Sequence, residues 1–157
     1  MSDSHDTNTC ILDRERFPKV TVLLGTYNGE KYLREQLDSI LKQSYPNIDI
    51  FVRDDGSSDK TIKILEEYTS RYSNFKFIQG ENLGAWGNFC TLIQMAPESD
   101  LYAYSDQDDV WLPEKVELGV SAIAQVDSSS TCVPPPPSSL YSLELYCRRA
   151  VEQTSCQ

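Results

Sequence analysis

Two hydrophobic patterns alternate along the first 125 residues of the chain. The unbroken apolar run at residues 20–24 predicts a strand that is covered on both faces, because it has no side that faces water. The run at residues 48–52 predicts a second buried strand, and those at 75–78 and 101–104 predict a third and a fourth strand. Each run is followed by a segment whose apolar residues recur every three or four positions, which predicts an amphipathic helix. The strand–helix unit therefore occurs four times.

The helical segments carry apolar stripes that indicate which side faces a core. The predicted stripes are Leu33, Leu37, Ile40 and Leu41 in the first helix, Ile62, Leu65, Thr69 and Tyr72 in the second, and Trp86, Phe89, Cys90 and Ile93 in the third. The fourth helix is predicted over residues 113–124, with Pro113 in its first turn. Regular alternation of strand and helix predicts an α/β fold with a mainly parallel sheet and helices on both faces.

The rhythm stops near residue 125. Residues 127–157 contain four consecutive prolines and a Ser/Thr cluster, neither of which suits a helix interior or a central strand. Within this stretch, residues 140–153 could form one amphipathic helix. The sequence therefore divides into an N-terminal leader at 1–17, an α/β domain at 18–126 and an atypical Ser/Pro-rich tail at 127–157.

Composition narrows the class of protein. The 157 residues carry a formal net charge of −10, which argues against a nucleic acid partner, because phosphate backbones are bound by clustered positive charge. No apolar run approaches the roughly 20 residues of a membrane helix, and the polar N-terminus lacks the features of a secretory signal. We therefore expect a cytoplasmic protein. The five cysteines form no CxxC pair and the single histidine is His5, so a zinc site or disulfide framework is not indicated.

The polar signals follow the predicted strands. Residues 25–30, 53–59, 79–85 and 105–111 each come after one strand and are rich in Asp, Asn, Gly, Ser or Thr. Ligands of open parallel sheets bind beyond the carboxyl ends of the strands, where these four loops would meet. Each loop alone is also explained by turn and capping chemistry. Their joint occurrence at one sheet edge favours a ligand site.

The fourth loop holds three carboxylates within four residues, Asp106, Asp108 and Asp109. A helix dipole accounts for one or two acids at such a position but poorly for three, because their mutual repulsion grows. Mg²⁺ and Mn²⁺ prefer oxygen ligands and are commonly shared between carboxylates and substrate phosphates. The P-loop, the GxGxxG fingerprint and the GxSxG elbow do not occur. The pattern indicates metal-assisted transfer from a nucleotide-activated substrate.

Three stretches carry a resemblance to a known family: "VTVLLGTYNGEKYLREQLDSILKQSYPNIDIFVRDDGSSDKT", "ENLGAWGNF" and "SDQDDVWLPEK". In this order they closely resemble the inverting family 2 glycosyltransferases of GT-A fold, above all the bacterial branch that builds cell-surface polysaccharides and includes rhamnosyltransferases. The resemblance covers residues 19–124. It implies a Rossmann-like GT-A nucleotide-binding half and a UDP- or dTDP-sugar as donor.

The resemblance also implies residue roles. Thr26, Tyr27 and Asn28 would hold the base and ribose, Asp54 or Asp55 would bind the N3–H of uracil or thymine, and Asn82 and Gly84 would line the diphosphate side. Asp106, Asp108 and Asp109 would form the D-x-D metal motif for Mg²⁺ or Mn²⁺, with Asp106 near the ribose, Asp108 as the leading ligand and Asp109 as a further ligand or support.

The family places its catalytic base in a later, acceptor-binding half that has no counterpart in this sequence. Glu144 and Glu152 lie in the tail without a family motif around them, so the base stays unassigned. The abrupt onset of "SSSTCVPPPPSS" resembles a truncated or frame-shifted reading frame. The implied acceptor is a glycan or a lipid-linked acceptor, and peripheral association with the inner face of the plasma membrane is left open.

Two alternatives to an active transferase stay open on sequence alone. The chain could be a catalytically incomplete fragment or a non-catalytic nucleotide-binding module, because the acceptor half is not visible. A response-regulator-like receiver is also α/β with clustered acids, but it needs an acidic pair after the first strand, where residues 25–30 offer only Glu30. We rank the receiver lowest.

Overall fold

The structure is a computed structural model that describes residues 17–128 and 145–147. The strands are β1 (Val20–Thr26), β2 (Ile48–Asp54), β3 (Phe75–Gln79), β4 (Leu101–Ser105) and β5 (Leu145–Cys147). The helices are α1 (Leu33–Leu41), α2 (Thr61–Arg71), α3 (Gly84–Met95) and α4 (Lys115–Ser128). The four predicted strand–helix units are confirmed.

The strands form one sheet in the order β3-β2-β1-β4-β5. β1 is central and pairs in parallel with β2 and β4, with Val20 opposite both Ile48 and Leu101. β3 extends the parallel part beyond β2, and β5 pairs antiparallel with β4. β1 and β4 are neighbours although two strand–helix units separate them in sequence. The strand order therefore reverses at β1, the kind of switch point at which doubly wound sheets bind ligands.

Helices cover both faces of the sheet, as predicted. One core contains the inward residues of α1, α2 and α4 packed against alternate residues of the strands, with Val22, Leu37 and Leu65 fully buried. The second core lies under α3, where Leu92 packs with Leu23 and Phe51. A short strand such as β1 can bury both of its faces because its side chains alternate between these two cores.

Two predicted helix stripes differ from the structure. In α2 the buried residues are Thr61, Ile64, Leu65 and Tyr68. The α2 sequence supports two overlapping stripes, and the structure selects the one that lets Tyr68 pack 5.9 Å from Phe75, measured between ring centroids. In α3, Asn88 and Leu92 are buried, whereas Trp86 is 74% exposed. Trp86 lies in the first turn of α3, beside a cleft at the strand ends, so no sheet covers it.

The tail differs from the sequence interpretation at one place. Leu145–Cys147, within the stretch that could form a helix, is instead an edge strand on β4. Leu, Tyr and Cys suit a strand, and the pairing satisfies backbone groups of β4 that would otherwise be open at that edge. The fourth helix also differs from its prediction over residues 113–124, because α4 spans Lys115–Ser128 and Pro113 lies in the turn before it. Residues 1–16, 129–144 and 148–157 lie outside the described residues.

Among the helices of the described residues, none combines the length and the apolar character that crossing a lipid bilayer requires.

Candidate functional site

A cleft of about 670 Å³ opens at the carboxyl ends of β1 and β4. The strand registers bring these ends level, with Thr26 opposite Asp54 and Leu24 opposite Ser105. The loops after all four parallel strands contribute to the site. Its lining includes Tyr27 after β1, Asp55 after β2, Asn82 after β3 and Asp106 after β4. The predicted meeting of the polar loops at one sheet edge is therefore observed.

The loops after β1 and β2 are joined by reciprocal hydrogen bonds. The Asn28 amide N–H donates to Ser57 Oγ at 2.8 Å, and Asn28 Oδ1 accepts from the Ser58 amide at 2.9 Å. Asn28 adopts a positive φ of 47°, a conformation that asparagine tolerates better than most residues. The Gly29 amide donates to Thr61 Oγ1 at 2.8 Å, at the start of α2. Asn28 thus links two loops in this structure and is not among the residues that line the cleft.

Asp54 and Asp55 occupy different environments. Asp54 is fully buried, and its carboxylate accepts from the amides of Gly56 and Ser57 at 3.1 and 2.8 Å. These bonds form the turn after β2. The Asp54 carboxylate therefore has a structural role in this turn, and its presence does not require a bound ligand. Asp55 is also buried, but it lines the cleft. The geometry therefore separates two acids that the sequence left as alternatives.

A buried polar network fixes Asp55. Its Oδ1 accepts from Arg53 Nη1 at 2.7 Å and from the Leu83 amide at 2.9 Å. The same guanidinium nitrogen donates to Asn88 Oδ1 at 2.6 Å. A Cβ on Gly80 would lie 2.3 Å from Arg53 Nη2, so this position has space for glycine alone unless the arginine moves. The network orients one oxygen of Asp55 toward protein donors and ties β2 to α3 and to the loop after β3.

Gln107, the middle residue of the D-x-D motif, joins the acidic loop to the loop after β1. Its Oε1 accepts from Thr26 Oγ1 at 2.8 Å and from the Tyr27 amide at 2.9 Å. Its Nε2 donates to the Tyr27 carbonyl at 3.1 Å. One side-chain amide therefore binds both sides of the Tyr27 peptide backbone as well as the Thr26 hydroxyl.

A second polar chain anchors both ends of the acidic loop in the core beside α1. Gln36 Nε2 donates to Ser105 Oγ, and Ser105 Oγ donates to the Asp106 carbonyl at 3.2 Å. At the other end of the loop, the Trp111 amide donates to Ser39 Oγ at 3.0 Å. Ser39 in turn bonds Gln36, and Trp111 is buried in the core, as expected for a packing tryptophan. The loop that carries the acids is thus held at each end by buried hydrogen bonds.

The three acids of this loop are exposed, and Asp106 and Asp108 line the cleft. Desolvation raises the pKa of Asp106 above its ordinary value, and the like charges of Asp109 and Asp108 raise it further. Within residues 17–128 and 145–147, no three His, Cys, Asp or Glu side chains converge as a complete metal site. The carboxylate oxygens suit Mg²⁺ or Mn²⁺, provided that phosphate oxygens of a ligand and water complete the coordination.

Another part of the cleft lining is aromatic and belongs to α3 and β4. The Trp86 and Phe89 rings are stacked with centroids 6.1 Å apart, and Phe89 contacts Tyr104 at 4.6 Å. Asn82 and Gly84, at the start of this part, also line the cleft. Gly84 has a φ of 73°, which non-glycine residues rarely adopt. The site therefore offers carboxylates, amides and a flat apolar surface to one ligand.

Most residues predicted for the site come together. Those that line the cleft are Thr26, Tyr27, Asp55, Asn82, Gly84, Asp106 and Asp108. Those not among its lining residues are Asn28, Asp54 and Asp109. Sequence reasoning missed Gln107, Arg53 and Asn88. The signal for Gln107 was its place between two acids, and the signal for Arg53 was a lone cation before an acidic pair at a strand end.

Comparison with known proteins identifies the family. The sequence model described as glycosyl transferase family 2 matches residues 21–143. The putative glycosyltransferase EpsE of Bacillus subtilis is 38% identical over 108 residues, which are 66% of this chain and 38% of EpsE. The dTDP-rhamnosyl transferase RfbG of Shigella flexneri is 37% identical over 105 residues, 64% of this chain and 36% of RfbG. The chain thus spans a little over a third of the length of these relatives.

Solved structures agree on the fold. S. aureus TarS 1-349 in complex with UDP superposes with a TM-score of 0.60 at 30% identity, over 74% of this chain and 38% of that one. The mannosyltransferase PcManGT from Pyrobaculum calidifontis, in complex with GDP-Man and Mn²⁺, gives 0.63 at 25% identity, over 68% and 32%. The sheet and its helices have the GT-A architecture expected from the resemblance. This chain belongs to the family 2 glycosyltransferases.

Proposed function

We propose that this chain is the donor-binding half of a glycosyltransferase that uses a UDP- or dTDP-sugar with Mg²⁺ or Mn²⁺ in surface polysaccharide synthesis. The observation that carries the proposal is one cleft lined by the buried Asp55 and by the exposed Asp106 and Asp108. A buried acceptor suits recognition of a base, and exposed acids suit a cation shared with phosphates.

Asp55 is the proposed base-recognition residue. Its Oδ1 is engaged by Arg53 and by the Leu83 amide, so the carboxylate can turn its second oxygen to a donor in the cleft. Uracil and thymine present such a donor, the N3–H, whereas N3 of cytosine is an acceptor. Tyr27 lies on the same cleft and is 47% exposed as a residue, in position to cover the base or ribose. This assignment favours UDP and dTDP over CDP.

The acidic loop is the proposed diphosphate and metal end. Asp108 is the leading ligand, Asp106 faces the ribose and also supports the cation, and Asp109 is a further ligand or support. Asn82 and Gly84 flank the diphosphate from the loop after β3. When bound, a divalent cation would neutralise the negative charge that develops on the diphosphate as the sugar leaves. The residues of the chain bind and orient the donor for that departure.

The relatives support a nucleotide-sugar donor of this kind. RfbG is named as a dTDP-rhamnosyl transferase, TarS has been solved with UDP and with UDP-GlcNAc, and PcManGT with GDP-Man and Mn²⁺. For this chain, the donor class rests on Asp55. The acceptor is proposed to be a glycan or lipid-linked glycan, and the location the cytoplasm, at the inner face of the plasma membrane where such acceptors lie.

A non-catalytic nucleotide-binding module is the competing proposal. The described site supplies groups for binding a donor, and no acid in it is assigned as the base that activates an acceptor hydroxyl. A transfer assay with a UDP-sugar and lipid-linked acceptors distinguishes the two. Metal-dependent UDP binding without transfer or hydrolysis would favour the module.

Calorimetric titration with UDP and dTDP, with and without Mn²⁺, tests the proposed site. We expect binding that strengthens at least about tenfold with Mn²⁺, a difference of about 1.4 kcal/mol. Asp108→Ala should abolish the metal dependence. Glu66→Gln, which removes one exposed negative charge from α2, is the matched control and should bind as the unmodified protein does. Binding of neither nucleotide, or metal dependence that survives Asp108→Ala, would contradict the proposal.

A further inference from the structure

We propose that Gln107 is a positioning residue that transmits occupancy of the acidic loop to the loop after β1, so that the diphosphate end and the nucleoside end of the cleft are ordered together. The inference rests on the proposed function, because it takes those two loops to hold the two ends of one donor. It gives a distinct role to the residue between the two acids of the D-x-D motif.

The hydrogen bonds of Gln107 make it a coupling element. The two loops are about 80 residues apart in sequence, and Gln107 reaches across with three bonds between 2.8 and 3.1 Å. Because Gln107 lies between Asp106 and Asp108 in the chain, any shift of those acids onto a cation moves its backbone. Two of its bonds hold the N–H and C=O that flank Tyr27, so such a movement reaches the residue proposed to cover the nucleoside.

The chemistry of the side chain fits this role. The arrangement needs an acceptor for two donors and a donor for one carbonyl, which an amide provides at a single end. A glutamate would keep the acceptors, lose the donor to the Tyr27 carbonyl and place a fourth negative charge beside Asp106, Asp108 and Asp109. A methionine has a similar length and shape and makes neither kind of bond, so it isolates the hydrogen bonds from the packing.

The backbone of Gly29 lies so close to the Gln107 side chain that a Cβ at this position would collide with it. A Cβ on Gly29 would lie 2.4 Å from Gln107 Oε1, closer than real Cβ contacts occur. Gly29 is therefore the position at which a single methyl group displaces the Gln107 amide while leaving Gln107 in the sequence. Gly29→Ala gives an independent way to break the same link.

Hydrogen exchange of the full chain, measured by mass spectrometry with Mn²⁺ and pyrophosphate, tests the inference without a nucleoside. Pyrophosphate with Mn²⁺ lacks a nucleoside and, on the proposed function, binds at the acidic end, so protection of the peptide containing Tyr27 would report transmission across the cleft. In the unmodified protein we expect exchange of this peptide to slow at least about fivefold, the lower end of ordinary coupling between sites. Gln107→Met and Gly29→Ala should lose that protection while still binding Mn²⁺-pyrophosphate by calorimetry.

Gln43→Met is the matched control. The Gln43 amide also joins separate segments, donating to the Leu112 carbonyl at 2.7 Å and accepting from the Val116 amide at 3.0 Å, but it does not line the cleft. This variant should keep the protection of the Tyr27 peptide. Urea unfolding of each variant separates a lost link from a lost fold.

Three results overturn the inference. The first is that Gln107→Met binds Mn²⁺-pyrophosphate and protects the Tyr27 peptide as the unmodified protein does. That result would show that the Gln107 hydrogen bonds do not couple the two loops. The second is that Gln43→Met loses protection of the Tyr27 peptide to the same extent as Gln107→Met. That result would show that the effect is not specific to the Gln107 hydrogen bonds. An unmodified protein that binds UDP with Mn²⁺ but shows no protection by Mn²⁺-pyrophosphate would refute the coupling and leave the proposed function standing. Failure to bind UDP, dTDP and Mn²⁺-pyrophosphate alike would refute the proposed function itself.

Discussion

Arg53 Nη1 lies 2.7 Å from Oδ1 of Asp55, and both side chains are buried, with 5% and 3% of their surface exposed. The contact spans only two positions in sequence, yet it brings together three segments, because Arg53 also bonds Asn88 on α3 and the Glu81 carbonyl after β3. A buried charge pair of this kind stabilises poorly by itself, but the loss of one partner leaves the other charge without compensation. Arg53 and Asp55 therefore link the stability of the fold to the chemistry of the cleft.

Replacing Arg53 by Met should lower the free energy of unfolding by about 3–5 kcal/mol, because Asp55 would remain buried without its cation. Urea denaturation followed by circular dichroism measures the change. Lys19→Met is the control. The Lys19–Asp49 pair, with 35% of each side chain exposed, has a similar length of 2.8 Å, and its loss should cost less than about 1 kcal/mol. Equal losses of stability in the two variants would show that the buried Arg53–Asp55 pair matters no more to the free energy of unfolding than the exposed Lys19–Asp49 pair.

Gly80→Ala should also destabilise the fold, by about 1–3 kcal/mol, because the added methyl group would meet the Arg53 guanidinium. The same unfolding measurement applies. In an Arg53→Met background the methyl group meets a more flexible, uncharged chain, so Gly80→Ala should cost less there. Strictly additive losses would mean that the two positions do not interact.

Asp55→Asn should change which base the cleft prefers. With Asn Oδ1 still accepting from Arg53 and Leu83, the side-chain NH₂ would face the ligand and repel the N3–H of uracil. UDP affinity should fall about tenfold or more, corresponding to one lost hydrogen bond of about 1.4 kcal/mol, whereas CDP affinity should hold or rise. Calorimetry with both nucleotides measures the ratio. An unchanged UDP to CDP ratio would remove Asp55 from base recognition.

The sequence predicted the fold well because its signals are local. Each parallel strand is rich in apolar residues, and strand–helix alternation restricts the sheet to parallel topologies, so the meeting of the four loops follows from order alone. The stripes of α2 and α3 were less certain. An α2 stripe through Ile62 and one through Tyr68 are equally periodic, and tertiary contacts of Tyr68 with Phe75 and Asp38 distinguish them. β5 depends on pairing with a distant edge, which no local pattern shows.

Most residues that the sequence proposes for a site line one cleft, whereas the hydrogen bonds between its loops were not predicted. Clustered acids are visible in the sequence, so Asp106, Asp108 and Asp55 could be proposed. The bonds from Gln107 to Tyr27 and from Arg53 to Asn88 span 80 and 35 residues, and they depend on side-chain geometry that spacing does not reveal. The same holds for Asp54, whose carboxylate turns into its own loop to bind Gly56 and Ser57.

Alkaline pH should destabilise the fold through Tyr45. Burial raises the pKa of Tyr45 from 10.0 to about 12, with a smaller contribution from Asp100, and its hydroxyl donates to the Pro18 carbonyl at 2.7 Å. Because the unfolded tyrosine ionises first, its stabilising contribution is complete below pH 10 and is lost as the pH rises to about 12. Urea unfolding at pH 8, 10 and 11 measures the loss.

Tyr45→Phe, which cannot ionise, should lose less stability than the unmodified protein over the same pH interval. Burial also raises the pKa of Tyr68, which donates to Asp38, so some alkaline loss should persist in that variant. Identical pH profiles for the unmodified protein and Tyr45→Phe would show that Tyr45 does not contribute.

A crystal structure of the chain soaked with UDP and Mn²⁺ would locate both ends of the donor at once, since the anomalous signal of manganese locates the cation independently of the nucleotide. We predict a manganese peak in direct contact with the Asp108 carboxylate and with diphosphate oxygens, and the uracil N3–H donating to Asp55. A nucleotide bound away from Asp55, or a manganese ion bound away from the 106–109 loop, would contradict this prediction.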